Sequence, residues 1–129
     1  MANLIDTMTY DGLISGISPE PIIRPGKIRK LGTAATLKRG TILAKSSGTA
    51  GDDKLVILGT TAETNETLTA YCILADDTAV GTSADVEAAV YMAGSFNPDK
   101  VTVKTSYTIT EADKDALRNG GIFLVPTID

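Results

Sequence analysis

Short apolar runs separated by turn residues fill most of the chain after residue 28, a spacing typical of β-strands. Residues 41–44 and 54–58 predict a hairpin, because the Ser, Gly and Asp residues between them favour a turn. In residues 68–75 both alternating faces are largely apolar, which indicates a central strand or a subunit contact. Further strands are predicted over residues 87–93, ended by Gly94, and over residues 101–107 and 122–125.

One helix has clear boundary signals. Thr110 is a suitable N-cap, and Glu111 and Asp113 place acidic side chains in the first turn, where the helix dipole favours them. Gly120 and Gly121 end the helix. The expected fold is therefore mainly β: a compact barrel-like or tulip-like β body with one short helix.

The leading segment, residues 1–27, has no sustained periodicity and contains six Gly and Pro residues. It is predicted to be an extended N-terminal arm, ahead of a β-rich domain over residues 28–129. Its apolar residues are too numerous for a solvated linker, which suggests that the arm orders against a partner surface. The alternative is that they complete the domain's own core. The candidate contact residues are Leu4, Ile5, Leu13, Ile14, Ile17, Ile22, Ile23 and Arg24.

Charge is distributed unevenly along the chain. Residues 1–40 hold three acids and six bases, a net charge of +3, whereas residues 41–129 hold thirteen acids and six bases, a net charge of −7. The basic segment could contact an anionic partner, or it could simply be solvated. The composition of 43% hydrophobic and 5% aromatic residues predicts a core of small side chains, which oligomerisation would help to bury.

Candidate chemistry is sparse. The chain has no His and a single cysteine, Cys72, which lies in an apolar strand and is expected to pack in the core. The acid pairs at residues 52–53 and 76–77 are interpreted as turn and strand-end residues, since neighbours in a strand point to opposite faces. We therefore expect no catalytic residue, no metal site and no cofactor.

Two classes of partner are also disfavoured. The basic stretch over residues 24–30 lacks interleaved aromatic residues, so nucleic-acid binding is not expected. No apolar run approaches the roughly 20 residues that span a bilayer, and the first residues lack the pattern of a signal peptide. We expect no membrane association.

Four ordered stretches resemble the lambda-type bacteriophage head decoration protein D family, the capsid cement proteins. They are residues 38–44 (KRGTILA), 71–77 (YCILADD), 89–97 (AVYMAGSFN) and 117–124 (LRNGGIFL). The resemblance covers residues 38–124, and residues 1–37 match only in character, since the family commonly carries an extended arm.

The resemblance implies a non-enzymatic virion protein, made in the bacterial host cytoplasm. It would bind the major capsid protein on the outer surface of the expanded capsid as homotrimers at three-fold and quasi-three-fold positions. There it would stabilise the shell against internal DNA pressure, with the arm along the capsid protein. The alternatives are another virion module, such as a tail or fibre component, and an oligonucleotide-binding β-barrel.

Overall fold

A computed structural model describes residues 13–16 and 21–125 of the chain. Strands dominate the described residues. In chain order the elements are β1 (Ile14–Gly16), β2 (Ile22–Ile28), β3 (Ala35–Leu37), β4 (Ile42–Ser47), β5 (Leu55–Ile57), β6 (Thr67–Leu74), β7 (Thr78–Val80), β8 (Val86–Phe96), α1 (Glu111–Gly120) and β9 (Ile122–Leu124).

Five strands close into a barrel, in the order β8, β2, β5, β4 and β6, with β6 pairing back onto β8. The barrel is mixed, because β2 and β5 are parallel through the pair Ile28 and Leu55 whereas the other neighbours are antiparallel. These pairings confirm the predicted mainly β barrel, the hairpin of β4 with β5, and the central position of β6.

The longest strand, β8, organises the rest of the fold. Its last residues pair with β1 on one side and with β9 on the other. The prediction that this strand ends at Gly94 is wrong. Gly94 adopts a φ of 142°, a conformation that glycine tolerates, and the strand continues to Phe96. Separately, β3 and β7 form a small two-stranded ribbon.

The helix matches its prediction closely. Thr110 is the N-cap, and its side chain and that of Asp113 form a reciprocal capping box. Gly121 caps the other end in the left-handed conformation, with a φ of 104°. Leu117 is the residue that the helix buries in the core.

The strand predicted over residues 101–107 is wrong. Only Thr102 forms a bridge, with Thr41, and the segment then turns through Ser106 at a φ of 72°. Its alternation of apolar and polar residues reflects packing against the barrel, since Val101 and Val103 lie at the edge of the core.

The core is built mostly from small aliphatic side chains, as the composition predicts. Cys72 is fully buried in it, which confirms the packing role expected for this residue. Tyr91 and Phe96 are the largest buried side chains, and their ring centroids lie 5.1 Å apart. Arg39 donates a hydrogen bond of 2.6 Å to the Tyr91 hydroxyl, so the polar tip of this buried ring has a partner.

Part of the predicted arm lies in the barrel. The register of β2 with β8 runs from Ile22 paired with Ala93 to Ile28 paired with Val86, so the barrel begins ahead of the boundary suggested at residue 27. Leu13 is only 1% exposed and packs in the core. For this residue, the structure agrees with the alternative expectation that the apolar residues of the leading segment complete the domain's own core.

Candidate functional site

The N-terminal end of β2 carries an exposed apolar patch. Ile22 is 42% exposed and Ile23 is 50% exposed, and Arg24 beside them is also exposed. The Arg24 guanidinium donates a hydrogen bond of 3.4 Å to the Ile23 carbonyl. These three residues, the β2 patch, leave apolar surface and a cation facing solvent. Such surface is typical of a contact site when it is contiguous.

Next to the patch, the barrel opens into a recess of about 370 Å³, here called the barrel hollow. All five barrel strands contribute residues to it. The lining comprises Arg24, Pro25, Gly26, Lys27, Lys45, Asp53, Leu55, Tyr71, Val90 and Met92. Leu55 and Val90 are buried and form an apolar floor, whereas Tyr71 is 37% exposed.

Positive charge surrounds the hollow. Arg24, Lys27 and Lys45 contribute three cations, and Asp53 is the lining's one carboxylate. Among the described residues, none of the three cations forms an ion pair. The Lys45 ammonium lies 5.0 Å from the centroid of the Tyr71 ring, within cation–π range.

A second cluster of charges, here called the ionic clasp, has its partners within the protein. The Arg29 guanidinium donates to both Asp52 carboxylate oxygens at 3.0 Å and 2.8 Å and to Glu66 Oε2 at 2.5 Å. Glu66, whose side chain is 2% exposed, also accepts from the Ser46 hydroxyl and the Glu63 backbone N–H. The clasp thus connects the loops that carry Asp52 and Glu66 to the end of β2 in the barrel.

The hydrogen bonds of the clasp favour the ionised carboxylates. Arg29 lowers the pKa of Asp52 to about 2, chiefly through its side-chain hydrogen bonds. The pKa of Glu66 is lowered to about 2 by the Glu63 N–H first, and then by Ser46 and Arg29. The carboxylates in turn raise the pKa of Arg29. These charges have their partners in the fold, so the clasp is a structural element rather than a reactive site.

The other candidate groups also have structural partners. Asp77 accepts a hydrogen bond of 2.8 Å from the Arg39 backbone N–H, and burial raises the pKa of the Cys72 thiol to about 12. Within the described ranges, no cluster of three or more His, Cys, Asp or Glu residues could hold a metal ion. No described helix has the length and apolar character needed to cross a bilayer.

The predicted contact residues fall into three groups. Ile22, Ile23 and Arg24 are consecutive exposed residues at the start of β2, whereas Leu13 is buried and Ile14 is half-buried. Leu4, Ile5 and Ile17 lie outside the described residues. Sequence reasoning did not single out Lys45 and Tyr71, which belong to separate strands and meet only when the barrel closes.

The sequence matches the family model of the bacteriophage lambda head decoration protein D over residues 23–122, which is 100 of the 129 residues. The chain belongs to this family. Decoration proteins of the family bind the capsid surface of the virion and stabilise the phage head, and they are structural and non-enzymatic. No curated protein matches the sequence significantly.

Membership of the family gives the surface features a context. The matched residues include the whole barrel apart from Ile22, so the barrel hollow and two of the three patch residues, Ile23 and Arg24, lie within the matched region. A protein that stabilises a shell acts through contact surfaces. The exposed and unpaired groups are therefore better candidates for its function than the buried or paired ones.

Proposed function

We propose that this chain binds the major capsid protein through its N-terminal segment and the β2 patch. The β2 patch lies within residues 1–27, the predicted arm, so the parts of this segment that do not pack in the barrel would lie along the capsid. The observation that carries the proposal is the exposure of Ile22 and Ile23 at the start of β2, beside the cation Arg24.

The contact would stabilise the capsid because it is repeated many times over the shell. Burying the exposed part of each isoleucine would contribute roughly 1 kcal/mol, a modest amount for a single site. The same contact made by many copies across the junctions between capsid subunits sums to a large resistance to internal DNA pressure.

We also propose that the protein assembles as a homotrimer at three-fold and quasi-three-fold positions on the outer capsid surface. The exposed apolar residues of the barrel and a core poor in aromatic residues support this arrangement, because shared surface around an axis would bury more apolar area.

Binding to expanded capsids that lack the protein tests the capsid contact. Deleting residues 2–12 retains the core residue Leu13, so the barrel should still fold while capsid binding is lost. Ile23→Ser should weaken binding without lowering the melting temperature. The matched control is Val125→Ser, which alters an apolar side chain that is 44% exposed at the end of the described chain. Unchanged binding by both the deletion and Ile23→Ser would contradict the proposal.

A reconstruction of the decorated capsid tests the trimer. We expect three copies around each three-fold and quasi-three-fold axis. Isolated monomers or two-fold pairs on the shell would contradict the trimer while leaving the capsid contact intact.

A further inference from the structure

The barrel hollow concentrates positive charge on a protein that is acidic as a whole. Its three cations and one carboxylate give a local charge of +2, whereas the whole chain carries a net charge of −4. Unlike Arg29, these cations have no carboxylate partner among the described residues. An unbalanced group of cations at a recess attracts an anionic ligand.

The shape and lining of the hollow narrow the chemistry of that ligand. Leu55 and Val90 form an apolar floor, which suits an aliphatic side chain. Leu55 packs closely against Gly26, since a Cβ added at Gly26 would lie 2.7 Å from Leu55 Cδ1. With a volume of about 370 Å³, the hollow can hold one or two side chains of a partner.

A single-stranded nucleic acid suits this recess poorly. Binding without sequence preference relies on several aromatic platforms along a basic groove. The hollow has one aromatic side chain, Tyr71, and the Lys45 ammonium already lies over its ring. An acidic peptide needs only cations at the rim and an apolar floor, and the hollow has both.

The hollow is also continuous with the β2 patch, because Arg24 belongs to both. We propose that the barrel hollow binds a short acidic segment of the capsid subunit. Its carboxylate lies between Lys27 and Lys45, and a neighbouring aliphatic side chain covers Val90. This inference rests on the proposed capsid contact and adds the chemistry of the partner: an Asp or Glu residue beside an aliphatic one.

Zero-length crosslinking on decorated capsids tests the pairing directly. A carbodiimide joins a lysine amine to a carboxylate in contact with it and forms an amide with loss of water. We expect mass spectrometry to find Lys27 or Lys45 joined to an Asp or Glu of the capsid subunit. The double variant Lys27→Arg/Lys45→Arg retains both positive charges but has no lysine amine at the hollow, so the crosslink should be lost.

Charge reversal supplies a second readout. Lys27→Glu/Lys45→Glu should weaken capsid binding by about tenfold or more, and the weakening should shrink at high salt. The matched control is Lys100→Glu/Lys104→Glu, which reverses two exposed cations outside the hollow and should have a smaller effect.

The outcomes separate this inference from the proposed capsid contact. Normal capsid binding with no crosslink from Lys27 or Lys45, or with equal effects of the two charge reversals, would overturn the acidic-segment proposal alone. A carbodiimide crosslink from these lysines to a second copy of this chain would also overturn the acidic-segment proposal. So would a crosslink from these lysines to nucleic acid, formed with a phosphate-directed reagent, when no crosslink to protein is found. Failure of the wild-type protein to bind capsids would overturn both proposals.

Discussion

Two arginines in the same region of the chain have opposite surroundings. Arg29 is held by two carboxylates in the ionic clasp, with its shortest contact, to Glu66, at 2.5 Å. Arg24 faces solvent at the rim of the barrel hollow and donates to a neighbouring carbonyl at 3.4 Å. Charges with partners inside the fold serve the fold, whereas charges without them are available to another molecule. Variants at the two sites should therefore separate stability from capsid binding.

The largest effect on stability is expected from Arg29→Ala. The change removes three charge-assisted hydrogen bonds and leaves the buried Glu66 carboxylate without its cation. We expect the free energy of unfolding to fall by about 2 to 3 kcal/mol. Urea denaturation measures it, with Arg24→Ala as the matched control, for which a change within about 0.5 kcal/mol is expected. Equal losses of unfolding free energy in Arg29→Ala and Arg24→Ala would contradict the claim that only Arg29 stabilises the fold.

The clasp should also make stability depend on acid pH. The pKa values of Asp52 and Glu66 are lowered to about 2 in the fold, from ordinary values of 3.8 and 4.5. Because the fold favours the ionised forms, their contribution is complete above the ordinary pKa values. It is lost as the pH falls through about 4.5 towards about 2.

Unfolding free energies measured between pH 6 and 2 check this dependence. Glu66→Gln should flatten the slope in the acid window. A residual slope should remain, because Asp52 is still ionised and Lys54 lowers the pKa of Asp85. Asp99→Asn, which removes an exposed carboxylate, serves as the control. Identical slopes in wild type and Glu66→Gln would contradict the role of the clasp.

An intermediate effect is expected where the hollow meets the core. In Gly26→Ala the new Cβ would lie 2.7 Å from Leu55 Cδ1 and 3.3 Å from Val90 Cγ2, so the floor must shift. We expect a loss of about 2 kcal/mol from overpacking. The melting temperature measures it. Gly81→Ala, which meets no atom within 4 Å, is the control and should be nearly neutral.

The smallest effect is expected at Cys72. Cys72→Ser places a hydroxyl among buried apolar side chains and should cost roughly 1 to 2 kcal/mol. Because Cys72 lies in the core and not at the hollow, capsid binding should be unchanged. A variant that melts like wild type and yet fails to bind capsids would reveal a role that burial does not explain.

Local sequence signals were sufficient for some elements and not for others. The hairpin of β4 with β5 and the helix between Thr110 and Gly121 follow from turn residues and caps within a few positions. The segment over residues 101–107 has the right alternation but only one bridge, at Thr102. Alternation alone cannot show whether a neighbouring strand is present to pair with.

The sequence does not predict strand β2, because Pro25 and Gly26 favour an irregular arm. The backbone N–H of Arg29 donates to the carbonyl of Leu55 in β5. Because alternate residues of a strand direct their backbone N–H to the same side, the nitrogen of Pro25 also faces β5. Among the described residues, β5 pairs with β2 only at Ile28, so the missing proline N–H leaves no ladder bond unmade. Glycine fits at position 26 because a Cβ there would lie 2.7 Å from Leu55 Cδ1 and 3.3 Å from Val90 Cγ2.

The hollow could not be predicted from local patterns. Its cations come from β2 and β4, and Tyr71 comes from β6, so the group exists only once the barrel has closed. The basic character of the leading segment did point to an anionic partner. Where those charges would gather depends on pairings between residues that are distant in sequence.

The central claim is that the barrel hollow and the β2 patch face the capsid while the ionic clasp does not. A reconstruction of the decorated capsid at side-chain resolution tests it most directly. We expect Ile23 and Lys45 to contact the capsid subunit, with an acidic side chain of that subunit between Lys27 and Lys45. The Arg29 clasp should lie away from the shell. A map in which the hollow opens to solvent, and another face of the barrel meets the capsid, would contradict the account.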